Sequence, residues 1–301
     1  MLYRAVLATR LRELHARRRN PADITRNLEW PGLSGISLRT VVGSTATDLR
    51  KLWAALESVV ENPRRTAMPI IVVAIPTLNE EDSIGEVVQE IARGGLVQRI
   101  IVADGGSRDR TAQMARVAGA EVLLTGKGYG RACLAAAQSA HEADIIVFMD
   151  GDGADDPANI SALIGPIQSG EYDFVIGSRV RGEREPGSIA WYQIAAGLMV
   201  GLFIRMLYGA LYTDMCAFRA IPRDTLLSLG MQELTYGWNI EMQIRAARAR
   251  LRVLEVPVSY RRRLGGRSKV AGNFRGSARA SIQIMGTLIR VLVAGKSRSK
   301  A

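Results

Sequence analysis

Asp150-Gly151-Asp152-Gly153-Ala154-Asp155-Asp156-Pro157 gathers four carboxylates into one short, glycine-spaced turn. Two acids separated by a single glycine can converge on one hard cation while the backbone bends closely past it. The turn follows directly on Ile145-Ile146-Val147-Phe148-Met149, an apolar run bounded by turn residues that reads as a buried strand. The acids therefore stand where a strand leaves its sheet, which is where open α/β sheets bind ligands. Asp156 before Pro157 predicts a helix start, with the aspartate as N-cap and the proline at the first helical position. An acidic turn of this kind also serves simply to cap a helix, and the rest of the chain has to decide between the two.

The elements needed to hold that turn are legible upstream. Ile70–Ile75 is a β-branched run ended by Pro76, and after Thr77-Leu78-Asn79-Glu80-Glu81 the spacing of Ile84, Val87, Val88 and Ile91 is helical, closed by Gly94-Gly95. Ile100–Ala103 is a second strand, and Asp104-Gly105-Gly106-Ser107-Arg108-Asp109 turns into a second helix. Glu121–Leu124 starts the cycle again, followed by Gly126-Lys127-Gly128-Tyr129-Gly130 and an alanine-rich helix. This βαβαβ period predicts an α/β fold with a mainly parallel sheet and right-handed crossovers. Asp104, Lys127 and Asp150 then emerge on one rim. Asp104 also suits a plain helix cap, and Lys127 and Arg131 suit the solvated charges of a glycine-rich loop.

Composition sets the limits. In 301 residues with 48% hydrophobic and 23% charged side chains there is ample material for a globular core. The formal net charge of +11 calls for an anionic partner: nucleic acid, a membrane surface or a phosphorylated substrate. Only 6% of residues are aromatic and there is no zinc-finger spacing, so nucleic acid is not the expected partner. His15 and His141 are the only histidines, which argues against a histidine triad or zinc site. The widely spaced Cys133 and Cys216 suit a reduced, cytosolic chain without a disulfide framework.

Residues 1–67 form a basic extension with arginines at 4, 10, 12, 17, 18 and 19 and leucines at helical spacing. A complete first strand begins just after Met68, so this extension is expected to be dispensable and Met68 an alternative start. The domain that carries these elements is expected to span 68–276. Residues 277–301 carry the apolar segment Ile282–Ala294 followed by Lys296, Arg298 and Lys300, a pattern suited to an interfacial amphipathic helix.

Taken together, Pro76-x-x-Asn79-Glu80-Glu81, Asp104-Gly-Gly-Ser-x-Asp109-x-Thr111, Asp150-x-Asp152 with Asp156-Pro157, and Gly177-Ser178-Arg179 resemble family 2 glycosyltransferases of the GT-A fold. The resemblance runs from Pro69 to about Gly276. It implies that Pro76, Glu80 and Asp104 lie around the nucleotide of a nucleotide-sugar donor. It also implies that Asp150 and Asp152 hold Mg²⁺ or Mn²⁺ on the donor diphosphate, with Lys127, Arg131 and Arg179 nearby.

Asp214-x-Cys216-Ala217-Phe218-Arg219, and Tyr260-x-x-Arg263-x-x-Gly266-x-Ser268-Lys269, narrow the likeness to the dolichyl-phosphate mannose synthase and polyprenyl-phosphate glycosyltransferase branch. Two departures are visible: Ala217 replaces the usual glycine, and Ala154 stands where many members place a glutamine that helps hold the metal. The resemblance implies inverting transfer of a hexosyl group from a UDP- or GDP-sugar to a polyprenyl phosphate by a cytoplasmic, peripherally membrane-associated enzyme. Arg219, Arg263 and Lys269 are the expected charge-compensating groups for the acceptor phosphate. Asp214 is expected to orient an arginine or the sugar, or to act as general base if the acceptor is a sugar hydroxyl. The uncharged stretch from Pro186 to Ile204 is expected to form one or two apolar helices facing a bilayer surface, with a transmembrane span as the alternative. A catalytically silent nucleotide-sugar or membrane-surface binding protein is the rival from another functional class. The sugar, the base and the oligomeric state are not legible in these residues.

Overall fold

A computed structural model describes residues 69–265. The predicted extension (1–67), Lys269 and the predicted C-terminal helix (277–301) lie outside the described residues.

The described chain forms a seven-stranded sheet in the order β3-β2-β1-β4-β6-β5-β7. The strands are β1 (Ile71–Thr77), β2 (Arg99–Asp104), β3 (Glu121–Leu124), β4 (Ile145–Phe148), β5 (Phe174–Ser178), β6 (Arg219–Pro222) and β7 (Val253–Pro257). The helices are α1 (Ile84–Arg93), α2 (Thr111–Val117), α3 (Tyr129–Ser139), α4 (Ile160–Gln168), α5 (Trp191–Tyr208), α6 (Arg223–Ser228) and α7 (Trp238–Arg248). β1 and β4 are buried along their whole length, which explains their near-continuous β-branched sequences: helices cover both faces of the sheet. α1 lays Ile84, Val87, Val88 and Ile91 into the core, as their spacing predicts.

β1, β2, β3 and β4 pair in parallel, as do β5 and β7. β6 alone runs the other way, antiparallel to both β4 and β5, with Phe148 opposite Arg219. Because of that reversal, the start of β6 meets the carboxyl ends of its neighbours. The loops after β1, β2, β4, β5 and β7, and the loop before β6, therefore share one rim.

The apolar stretch folds as the single helix α5, one of the two arrangements expected, because no proline or charged residue interrupts residues 191–204. Asp214 lies in the loop ahead of β6, where the Arg219 guanidinium donates to Cys216 O.

Candidate active site

A cleft of about 730 Å³ opens on the shared rim. Pro76, Glu80 and Lys127 line one side of it, and Asp150 and Asp152 form its floor. Arg179, Asp214 and Arg263 form the opposite wall. Thr77 also lines the cleft, and its buried hydroxyl has no hydrogen-bond partner among the described residues.

The loops after β1 and β2 are tied together by side chain to backbone bonds. Asn79, with φ of 52°, accepts from the Arg108 amide at 2.8 Å, and its own amide donates to Ser107 Oγ at 2.9 Å. The Glu80 amide donates to Thr111 Oγ1 at 2.8 Å. Asp104 is buried behind this wall, where its Oδ1 accepts from the Gly106 and Ser107 amides at 3.1 and 2.8 Å. It shapes the turn that carries Gly105 into the cleft.

Three acids crowd the floor. Asp152 Oδ2 pairs with Arg263 Nη2 at 2.9 Å, and its Oδ1 accepts from the Ala154 amide at 3.0 Å. Asp155 Oδ2 accepts from the Asp150 amide at 3.2 Å, while Tyr129 donates its hydroxyl to Asp150 Oδ1, also at 3.2 Å. Asp156 caps the turn as its position before Pro157 predicts, accepting from the Ala158 amide at 3.0 Å. The segment Tyr260–Leu264, after β7, straps over this turn: the Arg261 amide donates to Ala154 O, the Leu264 amide to Asp152 O, and the Arg261 side chain reaches Asp156 and Glu90.

Burial, then the charge of Asp152, pushes Asp150 up to about 6. Burial, then Asp150 and Asp152, pushes Asp155 up to about 8. Converging carboxylates that hold protons so tightly are the donor set a divalent cation would relieve. Among the described residues no three histidine, cysteine or acidic side chains form a closed metal cage. The floor thus fits a magnesium-like ion that takes one or two carboxylates and completes its shell from water and a bound diphosphate.

The raised acids also fix a pH dependence. Folding raises their affinity for protons, so the stability they contribute is complete below about pH 4 and is lost as pH rises through about 6 and about 8. The cation-free protein is expected to melt roughly 5–10 °C lower at the alkaline end of that range than at the acidic end. Addition of a divalent cation should reverse the trend. Scanning fluorimetry across the range checks both, and a flat profile would count against a buried acid cluster.

On the opposite wall Arg179 and Asp214 form a two-pronged ion pair, with Nε to Oδ2 at 2.9 Å and Nη2 to Oδ1 at 2.7 Å. The Arg179 and Met215 amides also donate to this carboxylate. These bonds outweigh its burial and hold Asp214 below the usual carboxylate range. The Arg179 guanidinium lies over the Tyr260 ring, 5.0 Å from its centroid. Glu255 on β7 supports the pair from behind, accepting from Thr213 N and Thr213 Oγ1 at 2.8 Å each.

Two residues expected in the site are elsewhere. Arg219 is fully buried beneath the cleft, donating to the carbonyls of Cys216 and Asn239 and lying 5.9 Å from the centroid of the Phe174 ring. The β-strand period turns it into the protein, so it supports the floor rather than meeting an acceptor. Arg131 projects from the outer side of α3 and lines a separate cavity of about 410 Å³ beside β3. Lys269 lies outside the described residues. Cys133 and Cys216 are both buried and unpaired.

Sequence reasoning missed Tyr129, Asp155 and Glu255. The signal for Tyr129 was its place between Gly128 and Gly130 at a helix start. A Cβ on either glycine would collide with the backbone of Leu234 or Glu233, so this turn is pressed against another segment.

The sequence profile of Glycosyl transferase family 2 matches residues 72–229. An uncharacterized glycosyltransferase of Mycobacterium tuberculosis is 34% identical over 210 residues, covering 69% of this chain and 92% of its own. An undecaprenyl-phosphate mannosyltransferase of Micrococcus luteus is 30% identical over 237 residues, covering 73% of this chain and 95% of its own. Among solved structures, glucosyl-3-phosphoglycerate synthase from Mycobacterium tuberculosis, in complex with Mn²⁺, UDP-glucose and phosphoglyceric acid, matches with a TM-score of 0.62 at 26% identity. That match covers 75% of this chain and 81% of the synthase. With a profile match over more than half of the chain and a relative aligned over nearly its full length, the chain belongs to glycosyl transferase family 2 and is a glycosyltransferase of the GT-A fold.

Proposed function

We propose that this glycosyltransferase moves a hexosyl group from a UDP- or GDP-sugar to a polyprenyl phosphate at the cytoplasmic face of a membrane, with inversion at the anomeric carbon. The observation that carries this reading is α5. Its 18 residues have a mean hydropathy of 1.2. Gly197, Val200, Gly201 and Ile204 pack one face against the protein along the helix, and Gly201 abuts the Tyr212 carbonyl. The other face leaves Met199, Leu202 and Met206 66%, 57% and 76% exposed. Tyr192, Gln193 and Ala196 in its first turns line the cleft. A helix anchored on one face and apolar on the other suits the plane of a bilayer interface better than a crossing of it. It would bring a lipid headgroup to the cleft while the isoprenoid chain stays in the membrane.

The pairing of Asp214 supports a phosphate acceptor over a hydroxyl. A hydroxyl needs a base, and this carboxylate is occupied by Arg179 and held anionic. A phosphate already carries the charge and needs orientation and compensation, for which Arg179 and Arg263 are placed. An oxygen of the acceptor phosphate attacks the anomeric carbon opposite the diphosphate, and the nucleoside diphosphate leaves with the bonding pair. Asp150 and Asp152 would hold Mg²⁺ or Mn²⁺, as the fold neighbour's Mn²⁺ complex suggests, and that ion supplies charge stabilisation to the leaving group. Lys127, exposed on the donor side, adds a second positive charge near the diphosphate.

The test is a donor-by-acceptor screen with UDP-glucose, UDP-N-acetylglucosamine and GDP-mannose against a short polyprenyl phosphate in anionic vesicles and against phosphoglyceric acid in solution. Transfer to the lipid is the expected result. Replacing both Leu202 and Met206 by aspartate is expected to lower lipid-dependent turnover at least tenfold and abolish vesicle flotation, while donor hydrolysis persists. Transfer to phosphoglyceric acid alone would favour a small soluble acceptor. No turnover with any donor would favour a silent binding protein.

A further inference from the structure

We propose that Tyr129 is the positioning residue that fixes the cleft-facing carboxylate of Asp150 for its cation, a role that rests on Asp150 and Asp152 being the cation ligands. Its hydroxyl donates to Asp150 Oδ1 at 3.2 Å. Among the described residues it is the side-chain donor to this carboxylate, whereas Asp152 is held independently by Arg263 and the Ala154 amide.

The surroundings give the phenol little freedom. Tyr129 is the first residue of α3, and the Gly130 and Arg131 amides donate to Thr235 O and Leu234 O at 3.2 and 3.0 Å. Those bonds, with the missing Cβ atoms of Gly128 and Gly130, pin the start of α3 to the segment before α7. The Tyr129 ring stacks on Tyr236, 6.4 Å between centroids and 27° between planes. The ring is thus fixed at its root and along one face, and its hydroxyl meets Asp150 at a defined place. A carboxylate held through one oxygen loses rotation about its terminal bond, and groups that orient a metal ligand in this way typically account for about 10–100-fold in metal affinity. α3 and the 233–235 segment thereby act on the cleft floor through the Tyr129 hydroxyl.

Tyr129→Phe keeps the ring and its stack, and removes the hydroxyl, which also meets the side chains of Asn239 and Cys133. The readout is Mn²⁺ affinity in the presence of UDP, measured by electron paramagnetic resonance on full-length protein, with melting temperature without metal as the companion measurement. The expected result is about 10–100-fold weaker Mn²⁺ binding at an unchanged melting temperature. Turnover should recover at high Mn²⁺, while KM for the acceptor stays constant. Equal Mn²⁺ affinity in wild type and variant would overturn the proposal. A melting temperature lowered by more than about 5 °C would also overturn it, because the hydroxyl would then be serving the fold. If the wild type itself binds no Mn²⁺ with UDP, it is the reading of Asp150 and Asp152 as ligands that fails.

Discussion

Replacing Asp152 by asparagine is expected to lower kcat/KM by about a thousandfold or more, equivalent to roughly 4 kcal/mol of barrier, while the protein folds normally. Asp152 is 4% exposed and faces two other acids across the cleft floor. Neutralising one of three crowded like charges relieves repulsion, and asparagine retains an oxygen for the Ala154 amide. The loss of the pair with the one-third-exposed Arg263 is a small term by comparison, because solvent screens it. The melting temperature without metal should therefore hold or rise. Catalysis should suffer because a cation held by one carboxylate is weakly bound and badly placed under a departing diphosphate. Steady-state kinetics and a thermal melt on the same preparation check both halves. Activity within tenfold of wild type would show that the pair does not serve the leaving group.

Replacing Asp214 by alanine is expected to remove about 3–5 kcal/mol of stability, the usual penalty for stranding one partner of a buried ion pair. Melting should fall by roughly 10 °C. Arg179 is mostly buried and donates both of its side-chain hydrogen bonds to this one carboxylate, with Asp150 and Asp155 in reach of its charge only. The same pair sets an acid limit in the wild type. Folding depresses the Asp214 pKa, so the stability it contributes is present above the ordinary aspartate range and is lost as pH falls through the folded value. Asparagine at this position separates stability from chemistry. A loss of about tenfold in turnover fits a group that orients Arg179, and a loss of several orders of magnitude with donor binding intact would identify a general base and a hydroxyl acceptor.

These expectations depend on how far each half of the chain could be read. Through Asp150 the strands are uninterrupted apolar runs separated by helices of regular spacing, so their order and shared rim follow from periodicity. Past Gly177 the signals weaken. β6 has four residues, among them an arginine and a proline, and its pairing partners lie far away in sequence. Nothing local declares that it runs antiparallel, or that Arg219 faces inward. A cation beside Cys216 and Phe218 therefore suggested a ligand contact, when the backbone carbonyls of Cys216 and Asn239 absorb it. Arg263 was legible as a cleft residue, but its pairing with Asp152 depends on how the strap after β7 folds back over the acidic turn. Tyr129 escaped notice because an aromatic at a helix start more often packs a core than orients a carboxylate.

The reversed strand also determines how relatives of this enzyme could be recombined. β6 is hydrogen-bonded to β4 on one side and β5 on the other, so the seam between the two portions of the polypeptide runs through the middle of the sheet. A chimera joined after the acidic turn takes β1 to β4 from one parent and β5 to β7 from the other, so the β4–β6 pairing becomes the strand contact between parents and its cross-strand side-chain matches are at risk. A crossover in the exposed bend at Gly230 keeps both β6 pairings within one parent and moves the junction to the β5–β7 pairing, and exchange of acceptor preference among homologues should be attempted there.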